Sequence, residues 1–338
     1  MMEKVNRDLF LVQLKDIFEK GNFQVSIQET KTLSSCCVPI AVSQVLIIVG
    51  TFLGLSQFGF LGAALILIGA WNIIKILNGE FPLLYGLFLG KKESFIVAKK
   101  EVENNSSGDL VLIFNLSPDR TLESPGIVTR YGLPHILVNA LLVAFIFTGT
   151  YLKLQANYRL SLCFFLIYNV FSLSFLLAES GKQQLGRGKL SGFEQSFFTS
   201  LIQNLKSFSL TGNLFLVILT NDTCSAQTRK IFESYNFDIG STLVLSLFET
   251  PEPEAYLLRQ EGILFQYNHD GNSIDFVERV LAYLGKTGKP LKTAKVIHST
   301  YYLTKKGFIA LPLYLPISES SPRFLSKLIG EINKLRLK

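Results

Sequence analysis

Hydrophobic positions follow two different rhythms along this chain. Between Lys31 and Lys75 no residue is charged, and at about 1.5 Å per helical residue that stretch exceeds a bilayer core of roughly 30 Å about twofold. It must turn once, near Leu55-Ser56-Gln57-Phe58-Gly59, so apolar helices are expected over 38–55 and 59–77. A second pair is expected at 134–152, between Arg130 and Lys153, and at 160–178, between Arg159 and Glu179. A helix satisfies its own backbone polar groups in lipid, so each of the four can cross. Core helices of a large soluble protein are the other reading, but such apolar segments typically run shorter. A cleavable leader is a further reading of the first helix. The charged, amphipathic stretch before it and the missing small-residue cleavage site favour a retained helix.

The rest of the chain has globular rhythm. An amphipathic helix is expected near 3–20, from Leu9, Phe10, Leu14, Ile17 and Phe18. Gln24–Gln28 alternates as an extended piece, and Phe81–Gly90 is apolar but too short to cross, which suits the membrane interface. Phe95–Val102 and Leu110–Leu116 read as strands around the turn Asn104-Asn105-Ser106-Ser107-Gly108. A helix near 192–208 opens on Ser191-x-x-Glu194, a capping box. The continuous apolar runs Leu214–Leu219 and Leu243–Phe248 suit strands buried on both faces, with a helix at Ala226–Ser234 between them. Further strands are expected at Ile263–Gln266, Lys295–Ile297 and Phe308–Leu315, and helices near 273–284 and 322–336.

Alternating strands and helices predict an α/β three-layer sandwich with a mostly parallel sheet, plus four transmembrane α-helices in two hairpins. The expected divisions are an amphipathic helix and extended segment over 1–37, a first hairpin over 38–77, the first part of the α/β domain over 78–133, a second hairpin over 134–178, and the remainder over 179–338.

Composition agrees with a membrane part joined to a water-soluble part. Hydrophobic residues make up 48% of the 338 and charged residues 17%, and the mean hydropathy is +0.33, too apolar for an ordinary soluble enzyme. The net charge of +7 does not come with nucleic-acid motifs. Lys31, Lys75, Lys91, Lys92, Arg130, Lys182, Arg187 and Lys189 share one side if both hairpins turn on the other, where Lys153 and Arg159 stand. The positive-inside rule then places both termini and the soluble segments in the cytoplasm, against anionic lipid headgroups. The four cysteines show no metal or disulfide spacing. Cys36-Cys37 sits where palmitoylated cysteines sit and serves equally as apolar filler.

The order of elements over 94–118 and 185–335 resembles the co-catalytic zinc exopeptidase family, which includes bacterial leucyl aminopeptidases, glutaminyl cyclases and the transferrin-receptor ectodomain. The resemblance implies the same three-layer fold. It also implies where ligands should stand, and they are missing. The H-x-D that ends a family strand falls on Asn115 and Ser117, after Leu110-Val111-Leu112-Ile113-Phe114. The metal-bridging aspartate falls on Gly188 in Gly186-Arg187-Gly188-Lys189-Leu190-Ser191-Gly192. The paired glutamates fall near Asp222, Thr223 and Cys224, where the acidic pair is not intact, and the next ligand aspartate falls on Phe248. No histidine follows His298, so the final ligand is absent too. A hydroxide-activating zinc site needs N, O or S donors and a base, and two dications need a bridging carboxylate.

What remains has ordinary readings available. His298 is a residual site candidate, against the common role of a lone hydrogen-bonded histidine. His269-Asp270 reads as part of a turn, and His135 as an interfacial residue. Asp222, Ser225 and His298 form a conceivable hydrolytic set without a G-x-S-x-G elbow. Near the midplane of the four spans no ionisable residue occurs, which speaks against a pump, and Ser43, Asn139 and Asn169 suit interhelical hydrogen bonds. The expectation is therefore a catalytically inactive, membrane-anchored aminopeptidase-like protein with no cofactor. Its partners would be membrane lipids and a protein or peptide, with no nucleic acid. An active membrane-bound zinc metallopeptidase is the first alternative, with zinc as cofactor, and a small transporter or channel with a regulatory soluble domain is the second.

Overall fold

The structure, a computed structural model, describes residues 2–32, 37–54, 56, 58–78, 80, 91–102, 108–116, 133–152, 156–185, 195–220, 222, 225–250, 255–262, 266–285, 292–294, 299–316 and 322–335. In chain order the described elements are α1 (Met2–Lys20), β1 (Gln24–Thr32), α2 (Cys37–Gly54), α3 (Gly59–Leu77), β2 (Lys91–Lys100), β3 (Leu110–Asn115), α4 (Leu133–Leu152) and α5 (Ala156–Leu185). Then follow α6 (Gln195–Leu205), β4 (Leu214–Leu219), α7 (Ala226–Ser234), β5 (Leu243–Thr250), β6 (Tyr256–Glu261), β7 (Tyr267–Asn268), α8 (Gly271–Tyr283), β8 (Lys292–Ala294), α9 (Ser299–Lys305), β9 (Ile309–Pro316) and α10 (Pro322–Leu335).

The strands form one sheet in the order β1-β2-β4-β3-β5-β9-β6-β7, with β8 paired to β6. β4, β3, β5 and β9 are mutually parallel, and their apolar runs are buried on both faces. β2 is antiparallel to both β1 and β4, and β6 is antiparallel to β9 and β7. The sheet is thus mixed rather than mostly parallel. The reason is in the connections: the chain leaves β1 into a helical pair and comes back into β2 at the same edge, which forces the two strands to run opposite ways.

Side-chain alternation builds a layer on each face. Leu110, Leu112 and Phe114 of β3, Leu214, Leu216 and Ile218 of β4 and Leu243, Leu245 and Leu247 of β5 join one core, shared with Leu14 and Phe18 of α1, Phe198 and Leu201 of α6, Val277 of α8 and Leu328 of α10. The alternate residues Val111, Ile113, Phe215, Val217 and Val244 join a second core with Ile231 of α7 and Leu303 of α9. Three layers result, helices on both faces of a mixed sheet.

α2, α3, α4 and α5 assemble around a separate core of Ile47, Ile66, Ile73, Leu142, Ile146, Leu162 and Leu176. α2 and α3 approach very closely: a Cβ on Gly62 would lie 2.4 Å from the Gly50 carbonyl oxygen, and one on Gly69 2.6 Å from that of Ser43. Small residues at such a crossing let helix backbones touch. Among the described residues one helix, Gly59–Leu77, is by itself long and apolar enough to span a bilayer. The other three of the expected four contain shorter apolar stretches, Val38–Gly54, His135–Thr148 and Ser161–Leu177. Phe81–Gly90, the Ser191 capping box and the strand expected at Lys295–Ile297 lie outside the described residues, as does most of the strand expected at 263–266.

Candidate functional site

Strand direction sets where a site can form. β1, β3, β4, β5 and β9 all point the same way, so Thr32, Asn115, Leu219, Thr250 and Pro316 end on one carboxyl edge, and β2 begins there. Ligand sites in sheets with a parallel centre favour such an edge, where loops leave the strand ends. It is also where α2 and α4 depart from β1 and β3.

Asn115 and Phe248 stand at this edge. Asn115 is the last residue of β3, beside Leu219 of β4. Phe248 lies beside Tyr314 of β9, with its ring stacked on that of Tyr314 at 5.1 Å, and Tyr314 stacks in turn on Tyr256 at 4.5 Å. The row offers aromatic faces and hydroxyls where a metal site would need carboxylates and imidazoles. Asp222 follows β4, but its carboxylate turns into the start of α7, where it accepts hydrogen bonds from the Thr228 amide (2.9 Å) and the Thr228 hydroxyl. Burial of the carboxyl group pushes its pKa up to about 6 against the lowering effect of those bonds. The group is a helix-capping acid. Ser225 begins α7 with a left-handed backbone (φ 55°) and makes no capping bond through its side chain. Ser117, Gly188, Thr223, Cys224 and His298 lie outside the described residues, so the structure brings together only Asn115, Asp222 and Phe248 of the expected positions, on one edge.

The described residues do not fit a zinc centre. Among them no group of three or more His, Cys, Asp or Glu side chains is placed to hold a metal ion. The donors that do converge sit elsewhere and are sealed. Glu261, at the end of β6, accepts a hydrogen bond from the Thr300 hydroxyl at 2.9 Å and lies 3.4 Å from His269 Nε2. His269 Nδ1 lies 3.0 Å from the Thr304 hydroxyl. The sequence of hydroxyl, imidazole and carboxylate looks like a proton relay, yet the side chains of His269 and Glu261 have no exposed surface. Beside it Tyr301 is packed edge-on against Tyr267 at 5.3 Å, and burial raises its phenol above the usual range. This cluster fastens α9 to the β6–β7 wing. His269, in the connection between β7 and α8, is buried, while Asp270 beside it caps α8 by accepting from the Ser273 amide at 2.8 Å. Nothing in the sequence flagged the pairing, because its partners lie on α9, a helix the hydrophobic pattern does not announce.

α9 also reaches the helical bundle. Lys305 in its last turn pairs with Glu80 just past α3, and Lys75 lies 3.6 Å from the same carboxylate. The Lys305 hydrogen bond is the main influence holding the Glu80 carboxyl below its ordinary value. Inside the bundle, Asn72 donates to Ser43 at 2.6 Å and Gln44 donates to Asn169 at 2.7 Å. His135 bonds the Tyr168 hydroxyl (3.2 Å) and Asn139 (3.0 Å). Ser43 and Asn169 thus make interhelical bonds, whereas Asn139 bonds within its own helix. His135 is buried within the bundle.

No family model matches the chain, and no curated protein matches it. Solved structures do, loosely. A zinc aminopeptidase from Bacillus subtilis superposes with a TM-score of 0.34 at 7% identity, over 74% of this chain and 49% of that one. A dinuclear metal-binding peptidase of the M20 family, also from Bacillus subtilis, gives 0.37 at 7% identity over 71% and 85%. An M18-family aminopeptidase from Thermotoga maritima gives 0.27 at 9% identity over 41% and 43%. The chain spans about half the length of the first of these. At such TM-scores the likeness carries no weight for fold or activity.

Proposed function

We propose that the chain is a catalytically inactive, membrane-anchored relative of the zinc aminopeptidases that works by binding a protein or peptide at the membrane surface. One observation carries the inactive part. The carboxyl edge, where a co-catalytic metal pair would be held, presents Asn115 and Phe248 at ligand positions and an Asp222 whose carboxylate is committed to α7. A phenyl ring donates no lone pair, and an amide is a poor substitute for an imidazole at zinc.

The membrane part rests on how α2 to α5 are packed. Most of the exposed large hydrophobic side chains among the described residues lie on these four helices, including Phe52, Phe60, Leu61, Trp71, Leu141, Phe164, Ile167 and Phe171. Ser43, Gln44, Asn72, His135, Asn139 and Asn169 are buried between them. Large apolar side chains turned outward, with hydrogen-bonded polar ones set among the apolar core, depart from the water-soluble pattern and suit a bundle in lipid. The helices then span as two hairpins, inserted over 38–77 and 134–178 into one sheet domain that faces the cytoplasm. The interhelical polar bonds gather at one level, since Ser43 adjoins Gln44 and Tyr168 adjoins Asn169, and this favours a packing role over a route for solutes.

Two measurements test the proposal. Metal analysis of the purified protein should find less than one zinc per chain, with no turnover on a panel of aminoacyl amides; two zincs with turnover would establish the active metallopeptidase instead. Fluorescence of Trp71, the sole tryptophan, should be quenched by brominated lipid tails and not by iodide in water. The opposite result removes the membrane assignment.

A further inference from the structure

α9 has seven residues and holds little of its shape by itself. Ser299, Thr300, Tyr301, Tyr302 and Thr304 are poor helix formers, and so short a helix is marginal without tertiary support. All seven side chains meet other elements. Ser299 Oγ lies 3.3 Å from Ser246 Oγ of β5, and Leu303 is buried in the core shared with β3 and α7. Thr300 donates to Glu261 of β6, Thr304 Oγ1 lies 3.0 Å from His269 Nδ1, and Tyr301 packs on Tyr267 of β7. The guanidinium of Arg229 on α7 lies over the Tyr302 ring at 4.3 Å. Lys305 pairs with Glu80.

Residues four apart share a helix face, so Thr300 and Thr304 form one stripe and Tyr301 and Lys305 the next. The first stripe holds the β6–β7 wing. The second reaches Glu80, and Tyr301 stands within the influence of both carboxylates: burial first, then Tyr267, Glu261 and Glu80, raise its phenol. Glu80 in turn is tied to α3, because its amide donates to the Lys75 carbonyl at 2.8 Å and its carboxylate lies 3.6 Å from the Lys75 ammonium. The position of Glu80 therefore follows the end of α3. The two grips differ in strength. Thr300, Glu261 and His269 are buried, whereas the Lys305 and Glu80 side chains keep 29% and 35% of their surface, and solvent screens such a pair.

We propose that α9 couples the end of α3 to the β6–β7 wing. With Glu80 on Lys305, α9 is seated so that Thr300 and Thr304 meet their buried partners; when a shift of α3 withdraws Glu80, α9 loosens and the wing opens more readily. The weak grip is the one that changes, and the buried grip is the one that responds. The coupling is reciprocal, so loosening the wing weakens the hold on Glu80. Nothing in it depends on metal, and it goes beyond the proposed function. A plain fastener would behave differently: it would hold at both ends with neither end affecting the other.

The test uses the full chain in lipid nanodiscs and hydrogen exchange at two amides. The His269 amide, bonded to the Arg259 carbonyl at 3.0 Å, reports the wing, and the Leu116 amide, bonded to the Leu219 carbonyl at 2.9 Å, reports the sheet. Glu80→Gln should speed exchange at His269 by about threefold or more and leave Leu116 unchanged. Charge exchange, Glu80→Lys with Lys305→Glu, should return His269 to within about twofold of the parent. In a double-mutant cycle, Thr300→Val should shift the unfolding equilibrium about threefold less in the Glu80→Gln background than in the parent, since independent sites add to within about twofold. Unchanged exchange at His269, equal acceleration at Leu116, no recovery on charge exchange, or additive effects in the cycle would each overturn the proposal. Zinc with turnover would defeat the proposed function and leave these results standing, so the two failures are distinguishable.

Discussion

Replacing Gly62 by alanine should part the first helical pair. The new Cβ would lie 2.4 Å from the Gly50 carbonyl oxygen, 2.9 Å from the Gly54 nitrogen and 3.3 Å from the Leu53 carbonyl carbon. All three are backbone atoms, so no side chain can swing aside and α2 and α3 must separate by roughly 1 Å to regain ordinary contact distances. Overpacking of this kind costs about 1–3 kcal/mol. Parting the helices also stretches the 2.6 Å Asn72–Ser43 bond, worth about 0.6 kcal/mol if it behaves as interhelical polar bonds do in bilayers. Alanine returns about 1 kcal/mol through helix propensity, so a net loss of about 0.5–2.5 kcal/mol is expected. Unfolding in mixed micelles, followed through Trp71 on α3, reads it directly. Gly54→Ala is the control: the atoms nearest its Cβ belong to the Ile146 side chain, at 2.9 Å to the mobile Cδ1, and it should cost under about 1 kcal/mol. Equal stability of Gly62→Ala and the parent, or equal losses in the two variants, would refute the close-crossing argument.

Asp222 gives a pH signature. Its folded pKa of about 6 lies above the ordinary 3.8, so the native state binds the proton more tightly and stability falls as pH rises through that window, by on the order of 2–3 kcal/mol. Asp222→Asn should flatten thermal stability between pH 4 and about 6, and a slope unchanged by the substitution would show that another group is responsible. Ser225→Gly should raise stability by about 1 kcal/mol, since glycine accepts the left-handed backbone at no steric cost and no capping bond is lost; denaturant titration showing a loss would contradict this. Glu261→Ala leaves the buried Thr300 hydroxyl without this acceptor and should cost about 1–3 kcal/mol. A thermal melt within a degree of the parent would mean the cluster is not a fastening.

Much of the architecture can be read from the residues because it depends on uninterrupted local patterns. The apolar run Leu214–Leu219 and the helix Ala226–Ser234 form where their composition places them, and α10 begins at Pro322, a residue suited to the first helical turn. β1 runs on to Thr32 and β2 starts at Lys91, beyond the expected limits, because Glu29, Lys31 and Lys92 in that stretch are exposed and lose little by it. β6 was hidden by Arg259, Gln260 and Glu261, of which Glu261 is buried and met by Thr300 and His269. α9, rich in Ser, Thr and Tyr, has little intrinsic helix preference and is held by those same tertiary bonds. Of the site, the carboxyl-edge placement of Asn115 and Phe248 followed from the strands, whereas the capping role of Asp222 depends on where α7 begins.

The mixed sheet also dictates a timetable for synthesis. β3, in the middle of the sheet, lies between β4 and β5, both made long after it, with two hydrophobic helices intervening. Until residue 247 has left the ribosome, the half-built domain exposes the flanks of β2 and β3, and lasting protection of those flanks arrives only with the late strands. Packing of α4 and α5 and closure of the sheet are therefore successive events on one nascent chain, and delay in the first prolongs exposure in the second.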